Sequence, residues 1–223
     1  MPQIRFDIIT LFPDSFSYFN QSILKKAQEK GIIQIKIWNL RNFTDDKHKT
    51  ADDYPYGGGP GMVLKVGPIY NALKFIKGEF KTRKRKIILT DLRGKIFNQK
   101  LAQELSKEKQ LIIICGHYEG VDERVKKFVD MSISIGKYVL TGGELAAMVI
   151  VDSVSRYIKG VLKNPLSLED KRFNRLLSIP VYTRPEVFIT DNGKKYKVPK
   201  VLLSGNHKKI EEWRKKHAKE IKI

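Results

Sequence analysis

Apolar stretches recur along the chain, and the period of each predicts its element. Phe6 to Leu11 has the length and apolar content of a strand. Ser15 to Glu29 predicts a helix ended by Gly31. Ile33, Ile35 and Ile37 alternate within Ile32 to Leu40, the period-two mark of a half-buried strand. Pro68 to Ile76 predicts a helix with proline in its first turn. Lys86 to Leu89 predicts a short strand, Asn98 to Lys107 a helix, and Leu111 to Cys115 a buried strand. A helix over Asp122 to Phe128, a strand over Met131 to Ile135 and a long apolar helix over Leu145 to Ile158 complete the series. Strands alternating with helices imply the α/β class, a mainly parallel sheet covered by helices.

After Ile158 the pattern changes. Residues 160–170 hold Gly160 and Pro165 and little periodicity, which predicts a linker between a larger domain over 1–159 and a smaller, mostly helical one over 171–223. In the smaller unit, His207 to Ala218 is amphipathic. Ile210 and Trp213 share one side, lysines occupy the rest, and Asn206 or Ser204 is placed to cap the start.

Charge adds a partner to this picture. The chain carries 43 basic and 24 acidic residues, a net +19. Residues 1–158 hold +9 of it, and the much shorter span 159–223 holds +10. A basic region of this kind points toward phosphate backbones; a solvated lysine-rich surface is the plainer alternative. No apolar run approaches the roughly 20 residues that cross a bilayer. The amino terminus lacks the basic segment and apolar core of a secretory signal. Cys115, the single cysteine, allows no disulfide within the chain, which suits the cytoplasm. Its apolar surroundings, Leu-Ile-Ile-Ile-Cys, favour a buried core thiol over a nucleophile. Four histidines and one cysteine form no zinc-like pattern.

Glycine clusters are the candidate sites. They are Tyr56 to Met62, Gly116 to Gly120, and Ile135 to Glu144. None has the Gly-Lys-Ser/Thr ending of a phosphate-binding loop, and none matches Gly-x-Gly-x-x-Gly. The second and third follow predicted strands, where open α/β sheets bind ligands, so one shared pocket is expected. Glycine leaves backbone uncovered, and a small flat ligand could lie against it; a tight turn is the bland alternative. Thr141 and Glu144 have capping-box spacing. Asp152 and Arg156, four apart on the following helix, could pair on the surface. Arg156 could instead stabilise negative charge developing on a substrate. Glu169 and Asp170 are either solvated linker carboxylates or a proton acceptor closing over a bound base.

Six ordered blocks then carry a resemblance. They are Ile9 to Pro13, Asp52 to Met62, Gly116 to Arg124, Ile135 to Glu144, Tyr182 to Val187 and Val201 to His207. With them the chain resembles, over nearly its whole length, the bacterial tRNA (guanine-N1)-methyltransferase family, TrmD, of the SPOUT class. The resemblance implies a SPOUT fold with a deep trefoil knot, which periodicity does not reveal. It implies S-adenosylmethionine bound against Gly116, Tyr118 and Glu119, and against Ile135, Gly136, Lys137, Tyr138, Val139 and Leu140. Gly142 and Gly143 would let the next helix approach closely. The substrate would be the guanine at tRNA position 37, with Asp170 as general base and Arg156 stabilising charge on O6. The basic unit would hold the anticodon stem-loop. A homodimer would share each active site, Asp170 of one subunit serving the donor bound by the other. Magnesium dependence is also implied, without an all-protein metal cage to hold the ion.

Two departures stand out. Thr90-Asp-Leu-Arg-Gly94 replaces a Ser-Pro-Gln-Gly-like turn one residue shorter, so Thr90 and Asp91 are not assigned to the site. The linker reads Ser167-Leu-Glu-Asp170, one residue shorter than in familiar members, which makes Glu169 the substitute base. The other readings are a catalytically silent RNA-binding protein that keeps the fold, and a SPOUT methyltransferase acting on another RNA.

Overall fold

In the computed structural model, β1 (Ile4–Thr10) is followed by a 3-10 stretch (Pro13–Asn20), α1 (Ser22–Glu29) and β2 (Ile33–Asn39). A two-residue pair, β3 (Asp52–Asp53) and β4 (Val63–Leu64), brackets the first glycine cluster. Then come α2 (Val66–Glu79), β5 (Arg85–Ile96), α3 (Gln99–Leu105), β6 (Gln110–Ile114), β7 (Met131–Ser134) and α4 (Glu144–Ser155). The structure describes residues 1–164, 168 and 177–220. It divides into two compact units, Met1–Lys163 and Asn164–Ile223.

The five long strands form one parallel sheet in the order β2-β1-β6-β5-β7. β6 is central and every one of its residues is buried, as an unbroken apolar run requires in a sheet covered on both faces. Side chains alternate between two cores. Phe6, Ile8, Ile88, Leu111, Ile113 and Ile133 face one side, with residues of α1, α3 and α4. Ile9, Ile87, Leu89, Ile112 and Ile114 face the other, with Ile69, Leu73 and Ile76 of α2. A buried polar knot crosses three strands. Asp7 takes Arg5 Nη2 at 2.7 Å, Trp38 Nε1 at 2.8 Å and Gln110 Nε2 at 2.7 Å.

Three elements differ from expectation. The helix expected over Ser15 to Glu29 splits, because Gln21 takes an extended backbone (φ −126°, ψ 159°) between the 3-10 stretch and α1. The strand expected to end at Leu89 runs on to Ile96. Both Thr90 and Lys95 register with Ile133, so residues 91–94 bulge out and the strand then rejoins β7. Gly94 permits this, since a Cβ there would stand 2.5 Å from the Ile133 amide nitrogen. The helix expected over Asp122 to Phe128 is a 3-10 turn, Glu123–Phe128, capped by the Asp122 carboxylate.

In the second unit, β8 (Leu177–Ser178), β9 (Val187–Ile189), β10 (Lys195–Lys197) and β11 (Lys219–Glu220) form two antiparallel pairs, β8 with β11 and β9 with β10. They accompany a short helix, Lys200–Leu203, and the helix His207–His217. The Asn206 carboxamide caps the latter by accepting from the Lys209 amide at 3.1 Å. Its last turn carries Arg214, Lys215, Lys216 and His217.

Candidate functional site

The bulge of β5 and the segments that leave β6 and β7 meet at one edge of the sheet and line a cavity of about 520 Å³. The Thr90 hydroxyl ties two of these segments together. It donates to the Ile114 carbonyl and accepts from the Gly116 amide, both at 3.1 Å. The third is lashed on by backbone: the Gly143 amide donates to the Gly116 carbonyl at 2.7 Å, and His117 bridges Gly142. Gly142 and Gly143 are glycines because of space. A Cβ on Gly142 would stand 2.3 Å from Glu144 Oε2 and 2.6 Å from His117 Nδ1. Tyr118, with φ 57°, turns the second cluster back on itself, and Gly120 follows with φ 126°.

Gly116, Tyr118, Glu119, Ile135, Gly136, Tyr138, Val139, Leu140, Gly142 and Gly143 all line this one cavity. Lys137 does not. It is exposed in the same loop, outside the wall. Sequence reasoning left out Thr90, Asp91, Leu92, Arg93, Ser134, His117 and Thr141, which also line it. The signal for Thr90 was its place at the end of an apolar strand. The first glycine cluster stays off the wall but touches it, since the Glu119 amide donates to the Met62 carbonyl at 3.1 Å.

The expected Thr141–Glu144 capping box is not formed. Gly143 is the N-cap of α4 and offers no side chain, while Glu144 is buried and accepts from the Thr10 hydroxyl at 2.7 Å. That tertiary partner outcompetes the local one. Cys115 is buried as expected. Burial, and then the nearby Glu144, push its thiol well above the ordinary range. The Asp152 carboxylate takes the Tyr18 hydroxyl at 2.6 Å, and this hydrogen bond is the main reason the Tyr18 phenol is raised. Arg156 is half-buried at the carboxyl end of α4. Asp170 and Glu169 lie outside the described residues.

A family model described as tRNA (Guanine-1)-methyltransferase TrmD matches residues 4–222. The chain belongs to this family. A tRNA (guanine-N(1)-)-methyltransferase from Dictyoglomus turgidum is 54% identical over 217 residues, 96% of this chain and 85% of that protein. One from Clostridium tetani is 52% identical over 220 residues, 98% of this chain and 88% of that protein. The crystal structure of the tRNA (m1G37) methyltransferase from Aquifex aeolicus superposes with a TM-score of 0.79 at 44% identity, covering 97% of this chain and 89% of that one. The parallel sheet and its glycine-walled cavity are thus those of a TrmD-family member. Among the described residues no helix is long and apolar enough to cross a membrane, and no three His, Cys, Asp or Glu side chains converge on a point that would hold a metal ion.

Proposed function

We propose that this chain transfers a methyl group from S-adenosylmethionine to N1 of the guanine at tRNA position 37. The observation that carries the reading is the cavity of about 520 Å³ walled by Gly116, Gly142 and Gly143, within a chain of the TrmD family. The donor-binding residues are Gly116, Tyr118, Glu119, Ile135, Gly136, Tyr138, Val139, Leu140, Gly142 and Gly143, with Lys137 at the rim of the same loop. The cradle fits a flat purine, because the uncovered peptide groups of Gly116, Gly142 and Gly143 offer it a polar edge.

When bound, S-adenosylmethionine supplies an activated methyl group on sulfur. The remaining work falls to the protein. Guanine N1 carries a proton and attacks poorly until that proton leaves. Asp170 accepts it, with Glu169 as the substitute, and Arg156 stabilises the negative charge that develops on O6. The cavity aligns the two reactants, which converts a bimolecular encounter into an oriented one. The target base leaves its stack to reach the site. Residues 160–170 act as the linker, and the basic unit beyond grips the anticodon stem-loop through phosphates. The enzyme works as a cytoplasmic homodimer, Asp170 of one subunit serving the donor site of the other. The trefoil knot belongs to this proposal as the path that brings the glycine segments together. Among the described residues no side chains converge into a magnesium cage.

The test is methyl transfer from labelled S-adenosylmethionine to an unmodified tRNA carrying guanosine at position 37, against an adenosine-substituted control. Label in the first and none in the second supports the assignment. Donor binding without transfer to either would favour a silent RNA-binding protein.

A further inference from the structure

The bulge over 91–94 puts an ionic group on the cavity wall. Asp91 and Arg93 both line it. Asp91 is the fixed member: its side chain is 15% exposed, its Oδ1 accepts the Arg93 amide at 2.9 Å, and its Oδ2 lies 3.3 Å from Lys126 Nζ. Burial alone would push the Asp91 carboxyl up, but the Arg93 amide and Lys126 hold it below its usual range. Arg93 is the exposed member, with a side chain 70% exposed. Its Nη2 meets Glu123 Oε2 at 3.1 Å, and its Nε lies 3.6 Å from Asp91 Oδ1. Exposed pairs of this kind are worth little, so exchanging Glu123 for another carboxylate costs little.

The charges of the wall then select a role. Among the described residues, the formally charged side chains lining the cavity, histidine aside, are Asp91, Arg93 and Glu119. S-adenosylmethionine bears a sulfonium, an ammonium and a carboxylate. Two acidic side chains suit its cationic groups, and only Arg93 suits its carboxylate. We infer that Arg93 reads the carboxylate of the methyl donor's amino-acid part, leaving Glu123 to do so. This rests on the methyl-donor reading of the cavity. A guanidinium offers two parallel N–H donors to a carboxylate, which a lysine or glutamine cannot match. The bulge over 91–94 is thereby a specificity element for the donor's tail.

Calorimetry on the full chain with two ligands tests this. S-adenosylhomocysteine keeps the amino-acid part; 5′-methylthioadenosine has the same adenosine and sulfur without it. Arg93→Gln is expected to weaken S-adenosylhomocysteine by about tenfold, the worth of one charge-assisted hydrogen bond, and to leave methylthioadenosine unchanged. Glu123→Gln, which releases the guanidinium, is expected to tighten S-adenosylhomocysteine alone. An Arg93→Gln protein that binds both ligands like wild type, or weakens both equally, would overturn the role of Arg93. Wild-type protein that binds neither ligand would overturn the methyl-donor reading beneath it.

Discussion

Thr90 occupies the space that any side chain on Gly143 would need: a Cβ there would stand 2.0 Å from the Thr90 Oγ1. That hydroxyl cannot swing away freely, because it bonds both the Ile114 carbonyl and the Gly116 amide. The missing side chain at 143 is therefore what lets the β5 bulge and the segments after β6 and β7 meet around one cavity. Gly143→Ala is expected to destabilise the fold by about 1–3 kcal/mol, the range for overpacking, and to weaken donor binding. Adding Thr90→Ala should recover only part of this, since the Gly116 nitrogen would still lie 2.8 Å from the new Cβ and the Cys115 Cα 3.0 Å. Urea unfolding of the two variants checks the order; full recovery in the double variant would contradict it.

Away from the site, Asp7 neutralises a guanidinium that is itself buried. Arg5 is 3% exposed and Asp7 0%. Asp7→Ala strands the Arg5 cation and removes acceptors from Trp38 and Gln110. The expected loss is about 3–5 kcal/mol, as when one partner of a buried pair is deleted. A midpoint shift worth under about 1 kcal/mol would show that the pair behaves like a surface bridge.

Much of this architecture was legible because it follows from local patterns. The apolar runs of β1, β6 and β7 and the alternation in β2 place these strands within two residues of where they lie. The glycine clusters at 116–120 and 135–144 announced a shared pocket. What was hidden depends on distant partners. Glu144 reads as half of a capping box until Thr10, 134 positions away, is seen to hold it. β5 reads as ending at Leu89, because nothing local tells that Gly94 will nestle against Ile133 and restart the pairing. The break at Gln21 lies between Asn20 and Ser22, residues that favour caps and turns, a local signal that the apolar pattern of the window masks.

The Cys115 thiol offers a probe of the sheet's interior. Its burial and the nearby Glu144 favour the protonated form. A thiol reagent is expected to leave native protein untouched and to label one cysteine per chain after denaturation. The sign of the pH effect follows. The folded pKa lies above the unfolded one, so the full stabilisation holds below about 8.5, the ordinary thiol value, and is lost as pH rises beyond it. Cys115→Ala should flatten that alkaline loss; an unchanged slope would assign it to other groups.

Arg156 and Asp170 divide the chemistry in the proposed reaction. Arg156→Ala is expected to lower kcat by about a hundredfold or more, the scale for losing one charge-stabilising donor, with a modest change in donor affinity. Asp170→Asn should lower kcat by about 10²–10⁴, the contribution of a general base, while S-adenosylhomocysteine still binds. Near-normal turnover in the Asp170 variant would transfer the base role to Glu169. Unchanged turnover in the Arg156 variant would leave that residue only a place at the end of α4.

Mass-spectrometric mapping of the product is the most direct measurement. Transfer RNA lacking modifications, incubated with this protein and S-adenosylmethionine, should yield 1-methylguanosine at position 37 and nowhere else. Methyl groups on ribose, or at a different nucleotide, or only on ribosomal RNA, would contradict the assignment.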